Sequence, residues 1–233
     1  LADRSLADEL DGRLDRHLEN WLGTWPGTGE LVVTSSRFRE LPGWDGKVRP
    51  VAGVSTGERR VISVPAALSP AARELAEQGR LESDLGALVG LPGHRLGSVV
   101  FRYCRELVAH EPIGEWCSPF DERLPAWLSP FNGEVLACFD GDGRYMAGVG
   151  RKMHDAYCQE IAVGTDERHR NKGLAKRLVA TAVRRIVDEG GVPTYLHAAD
   201  NYASARVAQA VGFPDLGWHM IGLWPPANDR QTS

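Results

Sequence analysis

The chain has 233 residues, is 42% hydrophobic, and carries 27 Lys and Arg against 31 Asp and Glu. That is enough apolar material for one large domain or two small ones, and a net charge of −4 has the wrong sign for a general nucleic-acid binder. No run nears the roughly 18 apolar residues of a membrane span, and Cys104, Cys117, Cys138 and Cys158 form no C-x-x-C pair of a zinc ribbon.

The N-terminal Leu1-Ala2-Asp3-Arg4-Ser5 is polar and lacks the apolar centre of a signal peptide. With the cysteines read as reduced thiols, a cytoplasmic location and no membrane contact are expected. Leu6, Leu10, Leu14 and Leu18 recur every fourth residue and Trp21 and Leu22 close the stripe, which predicts an amphipathic helix. That helix packs on its own domain or, alternatively, joins two copies of the chain into a homodimer.

Gly23-Thr24-Trp25-Pro26-Gly27 ends the helix. Short strands are predicted at Leu31–Val33, Val51–Val54 and Arg60–Val64, with Thr56-Gly57-Glu58 turning between the last two. Ser69-Pro70 reads as a helix start, Ser as N-cap and Pro at the first helical position. A second helical patch runs through Leu81, Leu85 and Leu88, and Ser98–Tyr103 reads as a strand. Nothing in this half carries a chemical motif. It is read as an α+β accessory region over residues 1–112.

A Pro- and Trp-bearing stretch, Glu111–Pro130, leads into the second half, with a short helix expected over Asp121–Leu128. Glu134–Phe139, Arg144–Lys152 and Tyr157–Val163 read as a three-stranded meander, the first pair joined at Asp140-Gly141-Asp142-Gly143. Leu174, Leu178, Val179, Ala182, Val183, Ile186 and Val187 form one apolar helix face, and Gly190-Gly191 stops that helix. Val192–His197 is a strand, Asn201 or Asp200 caps a further helix ending at Gly212, and Trp218–Leu223 is the last strand.

Between the meander and the apolar helix lies Arg170-Asn171-Lys172-Gly173-Leu174-Ala175, which fits R/Q-x-x-G-x-G/A. A basic turn at a helix start leaves backbone N–H groups and the positive dipole end free for a phosphate or pyrophosphate. Thirty residues on come Asn201-Tyr202-Ala203-Ser204 and Val211-Gly212-Phe213. Together these resemble the GNAT superfamily of acyl-CoA-dependent N-acetyltransferases, specifically so from about Glu134 to Leu223. Neither a Walker P-loop nor a dinucleotide G-x-G-x-x-G is present.

The resemblance implies an α/β fold: a mixed, mostly antiparallel central sheet flanked by helices, with a GNAT domain over residues 113–226 and the N-terminal accessory region before it, the latter alternatively a degenerate GNAT-like half. It implies acetyl-CoA or another acyl-CoA as cosubstrate, no metal, and an amine acceptor. The pyrophosphate falls to Asn171, Lys172, Gly173, Leu174 and Ala175, with Arg168 and Arg170 adding charge. Ile161, Ala162, Val163 and Thr165 are expected to hold the pantetheine arm as an added strand, the N–H near Val163 facing the oxyanion. Asn201 and Ser204 are expected on its other side. For the base, Glu160 is the first candidate, against a structural ion pair at the same residue; His197 is the alternative and His154-Asp155 a third, in the acceptor pocket. The family's Tyr, seven residues after the signature Asn, is here Ala208. The thiolate's proton then comes from Tyr202, Tyr157 or water, or is not needed. The expected function is transfer of an acetyl or short acyl group from CoA to a primary amine of a small molecule or peptide. The alternatives are a non-catalytic acyl-CoA-binding module and an enzyme acting on a protein amine.

Overall fold

The computed structural model describes residues 5–226. Helix α1 (Leu6–Leu22) follows from its leucine spacing. Leu10, Leu14, Leu18 and Leu22 are each 0–1% exposed, so the stripe is already buried within a single chain. Leu6 and Trp21, at the ends of the stripe, stay partly exposed.

Strands β1 (Leu31–Ser35), β2 (Ala52–Ser55) and β3 (Arg60–Val64) follow, with β2 and β3 antiparallel. Their turn closes through Thr56 N–H donating to Arg59 O at 2.9 Å, with Gly57 at φ 85°. Helices α2 (Ser69–Glu77) and α3 (Leu81–Leu88) come next. Ser69 is not the cap of α2: it is itself helical, because the 3-10 turn Ala66–Leu68 runs directly into the helix. Its Oγ is buried without a partner among the described residues.

Strands β4 (Arg95–Tyr103), β5 (Glu115–Cys117), β6 (Val135–Phe139), β7 (Tyr145–Met153) and β8 (Cys158–Thr165) lead to α4 (Leu174–Asp188). Then come β9 (Val192–His197), α5 (Tyr202–Ala210) and β10 (His219–Trp224). The helix expected over Asp121–Leu128 is reduced to a 3-10 turn at Ala126–Leu128, since Pro125 interrupts it. Short β5, antiparallel to β6, lies in that same Pro-rich stretch. The architecture is α/β, with mixed but mostly antiparallel strand pairing and, among the described residues, five α-helices.

The chain divides into two compact units. One comprises Asp15–Val100 and the residues from Leu216 on, with strand order β1-β3-β2-β10-β4. In it β1 and β3 are parallel, and β10 is antiparallel to both β2 and β4. Its core gathers Val33, Val51, Ile62, Val64, Leu81, Leu85 and Ile221. The last strand therefore pairs with first-half strands rather than with the segment it follows. The other unit comprises the residues up to Leu14 and Phe101–Asp215, with order β4-β9-β8-β7-β6-β5. In it β8 and β9 are parallel, and β5 to β8 are antiparallel neighbours. The divisions fall inside α1, inside β4 and between Asp215 and Leu216, not at residue 112: Cys104 N–H bonds Pro193 O at 2.9 Å and Arg105 N–H bonds Gly212 O at 3.0 Å.

Helix α4 buries Leu178, Val179, Ala182, Val183, Ile186 and Val187. Each such Leu, Ile or Val contributes roughly 1.5–3 kcal/mol when fully buried. The helix stops where Gly191 N–H bonds Ile186 O at 2.9 Å, with Gly190 at φ 87°.

Candidate functional site

Strand β8 pairs with β7 along its whole length, from Gln159 opposite Met153 to Thr165 opposite Ala147. With β9 it pairs only from Cys158 to Ile161, the last contact being Ile161 opposite Tyr195. From Ala162 to Thr165 its second edge is open, and those residues are all partly exposed. Ile161, at the point of divergence, is 2% exposed and belongs to the core. The open edge offers backbone N–H and C=O groups to an extended ligand, as an edge strand does to an added strand.

The chain leaves β8 through Asp166, which accepts from Arg168 N–H at 3.0 Å and starts a 3-10 turn over Glu167–His169. Asn171 then takes a left-handed conformation (φ 62°), and so does Gly173 (φ 77°), the N-cap of α4. No side chain caps α4. Its first intrahelical bond is Arg177 N–H to Gly173 O at 3.3 Å, so the N–H groups of Leu174, Ala175 and Lys176 face outward at the positive dipole end. A Cβ at Gly173 would meet nothing within 4 Å, so the space before these donors is open. Arg168 is engaged by Asp166 (2.9 Å), Arg170 by Glu167 (3.3 Å) and Lys172 lies 3.4 Å from His169 Nδ1, all at the surface. A cavity of about 350 Å³ lined by His110, Trp116, Arg184 and Glu189 lies at the opposite end of α4.

Of the two candidate caps for α5, Asn201 is the one used: its Oδ1 accepts from Ser204 N–H at 3.0 Å. Tyr202 beside it is 71% exposed. Ser204 also reaches Tyr195, whose phenol is raised by burial, with the Ser204 hydrogen bond opposing. Gly212 is at φ 91°, and a Cβ there would stand 2.0 Å from Glu106 O.

Glu160 is 7% exposed. One carboxylate oxygen is bonded by Lys152 Nζ and the other lies 3.3 Å from His154 Nε2. Lys152 is its cross-strand partner on β7, so register alone brings this pair together. Burial would push the Glu160 carboxyl up, but the His154 bond and the Lys152 charge hold it below the usual carboxylate range.

His197, also 7% exposed, ends β9. Arg102 Nε lies 3.0 Å from its Nε2, and Arg can only donate, so Nε2 accepts. Its Nδ1–H then donates to Ala198 O at 2.8 Å. The lone pair a base needs is occupied. Arg102 is itself 5% exposed and also donates to Phe213 O (3.1 Å), Gln209 Oε1 (3.3 Å) and Asp215 Oδ2 (2.9 Å).

Lys152 and Arg102 were not among the residues singled out in the sequence. Arg102 is a lone charge inside Val99-Val100-Phe101-Arg102-Tyr103, and that was a usable signal. Lys152 carries no signal without the strand register. Among the described residues no cluster of His, Cys, Asp and Glu could hold a metal, and no helix is long and apolar enough to cross a membrane. All four cysteines are free thiols, and burial raises each of them.

Residues 101–213 match the Acetyltransferase (GNAT) family. No curated protein matches the chain. Among solved structures it is similar to an acetyltransferase from the GNAT family of Colwellia psychrerythraea, at 13% identity and TM-score 0.48, covering 70% of this chain and 76% of that one. It is also similar to a GCN5-related N-acetyltransferase from Kribbella flavida, at 17% identity and TM-score 0.42, covering 62% and 65%. A GCN5-related N-acetyltransferase-like protein from Streptococcus suis matches at 16% identity and TM-score 0.40, covering 65% and 76%.

Proposed function

We propose, for a chain that belongs to the GNAT acetyltransferase family through residues 101–213, that it transfers an acetyl group from acetyl-CoA to a primary amine. The observation that carries this reading is the open β8 edge leading directly into an uncapped α4 N-terminus. Pyrophosphate sits on the N–H groups of Leu174, Ala175 and Lys176, with Asn171 and Gly173 shaping the turn and Arg168, Arg170 and Lys172 around it. The pantetheine arm lies along Ala162–Thr165 and ends where β8 and β9 meet, near Ile161, with Asn201 and Ser204 across from it. An N–H near Val163 donates to the oxyanion of the tetrahedral intermediate.

Glu160 is the residue assigned to receive the amine's proton, directly or through one water. Lys152 and His154 keep it ionised, which is the accepting form, while lowering its basicity. His197 is assigned to positioning: with Nε2 occupied by Arg102, it holds the end of β9 where the two strands part. A CoA thiol, with a pKa near that of free cysteine, roughly 8.5, leaves without an acid at modest cost. That fits Ala208, fully buried where the family places its Tyr.

Calorimetry with acetyl-CoA on wild type, Gly173→Ala and Gly173→Asp tests the reading. The Asp variant should lose at least tenfold in affinity beyond the Ala variant, since both strain the left-handed residue but only one brings a carboxylate to the pyrophosphate. Equal affinity in Ala and Asp variants would remove the pyrophosphate from this turn. Thiol release from acetyl-CoA across a panel of primary amines, small and peptidic, separates an enzyme from a module that only binds.

A further inference from the structure

The face of β7 and β8 that carries Glu160 is built for something besides the carboxylate. Side chains alternate along a strand, and the pairs Gly148–Gly164, Gly150–Ala162 and Lys152–Glu160 share that face. Gln159 and Arg151 point the other way, to Glu189 at the end of α4. Three of the six positions on the Glu160 face are glycine, and aromatic rings fill the space their side chains would take. A Cβ on Gly164 would stand 2.7 Å from Trp127 Cζ2, and one on Gly150 would stand 2.5 Å from Phe131 Cδ2.

Trp127 is fixed there. It packs edge-on against Phe131, ring centroids 5.9 Å apart at 87°. The phenol of Tyr145 donates to Gly164 O at 3.1 Å, on the same glycine the indole covers. Yet 40% of Trp127 stays open to solvent. A tryptophan held edge-on by Phe131 over bare backbone, at the stretch of β8 whose edge is open, is a platform rather than core.

We propose that Trp127 is a specificity-determining residue of the acceptor site and that it selects amines bearing an aromatic ring two or three carbons from the nitrogen. This rests on the acetyl-CoA reading above. Gly164 lies two residues from Ala162, about 6.6 Å along the strand, and Glu160 lies about as far on the other side. An amine attacking a thioester held near Ala162 has Glu160 on one flank and the Trp127 ring on the other. A two- or three-carbon arm spans that gap, and aromatic rings are held by offset or edge contacts with Trp. A second cationic centre finds no partner here: Glu160 is the one carboxylate among the six face positions, and Lys152 already pairs with it.

The test compares 2-phenylethylamine, butylamine and putrescine as acceptors of acetyl-CoA, on wild type, Trp127→Ala and Trp127→Leu. Wild type should favour phenylethylamine over butylamine in kcat/KM by roughly 3- to 10-fold, the usual range for one aromatic pair, with putrescine below both. Both variants should bring the phenylethylamine to butylamine ratio close to one. Trp127→Leu keeps bulk on Gly164 if the alanine variant does not fold, and acetyl-CoA calorimetry reports folding in each case. A wild-type ratio near one, or a ratio that survives loss of the indole, overturns the proposal. If acetyl-CoA binds but none of the three amines is acetylated, the Trp127 assignment fails while the cofactor reading stands. If acetyl-CoA does not bind, both fail.

Discussion

Replacing Arg102 with Met should be among the most damaging single changes in the unit that holds the proposed acetyl-CoA site. The guanidinium is 5% exposed and reaches four groups: His197 Nε2, Phe213 O, Gln209 Oε1 and Asp215 Oδ2. Methionine keeps the apolar bulk and removes every donor. The Asp215 carboxylate is 51% exposed, so water takes over for it and little of that ion pair counts toward the loss. His197 Nε2 and Phe213 O are buried and stay unpaired, and each stranded acceptor costs about 1–3 kcal/mol. The sum is about 2–6 kcal/mol. Urea denaturation, followed by tryptophan fluorescence, measures it. The His197 tautomer should persist, because Ala198 O still accepts from Nδ1–H, but Nε2 loses its donor, and imidazole nitrogen shifts in labelled protein read that directly. Asp215→Asn, by contrast, should cost under about 1 kcal/mol. An Arg102→Met variant within 1 kcal/mol of wild type, or an Asp215→Asn variant as damaging as it, would refute the placement of Arg102 as a buried hub.

Gly212→Ala should destabilise by at least about 2 kcal/mol, because it combines a left-handed φ with a backbone oxygen 2.0 Å from the new Cβ; chemical denaturation checks it. Gly173→Ala, with the same sign of φ but open space around its Cβ, should cost only about 1 kcal/mol in the same measurement. Glu160 has a folded pKa below its ordinary 4.5, so its contribution to stability is present above that pH and is lost as pH falls through the folded value. The stability gap between wild type and Glu160→Gln should therefore be widest near neutrality and shrink below about pH 4.5; a gap independent of pH would mean the carboxylate is not held in its charged form.

Local signals in the sequence carried most of the second half. The apolar period of Leu174–Asp188, the double glycine after it, the run Val192–His197 and the Asn201 cap all reappear as elements, since each depends on neighbours within a turn or two. Gly173 of the basic turn and Gly212 were legible for the same reason: a left-handed backbone favours glycine, or asparagine as at Asn171, wherever it occurs. What failed locally failed for a local reason too. Ser69 looked like a cap because the 3-10 turn ahead of it left no mark in the sequence.

Long-range pairing decided the rest. The sequence by itself determined that a basic glycine turn follows a strand and precedes an amphipathic helix. Only the tertiary structure decided that β8 parts from β9 after Ile161, that β10 returns to β2 and β4, and that Lys152 and His154 close on Glu160. Strand register is a relation between distant segments, and a shift of one residue would turn Glu160 to the opposite face. The same register sets Gly164, Gly150 and Gly148 on one face, where Trp127 and Phe131 can lie against bare backbone, and no spacing within either segment encodes that meeting.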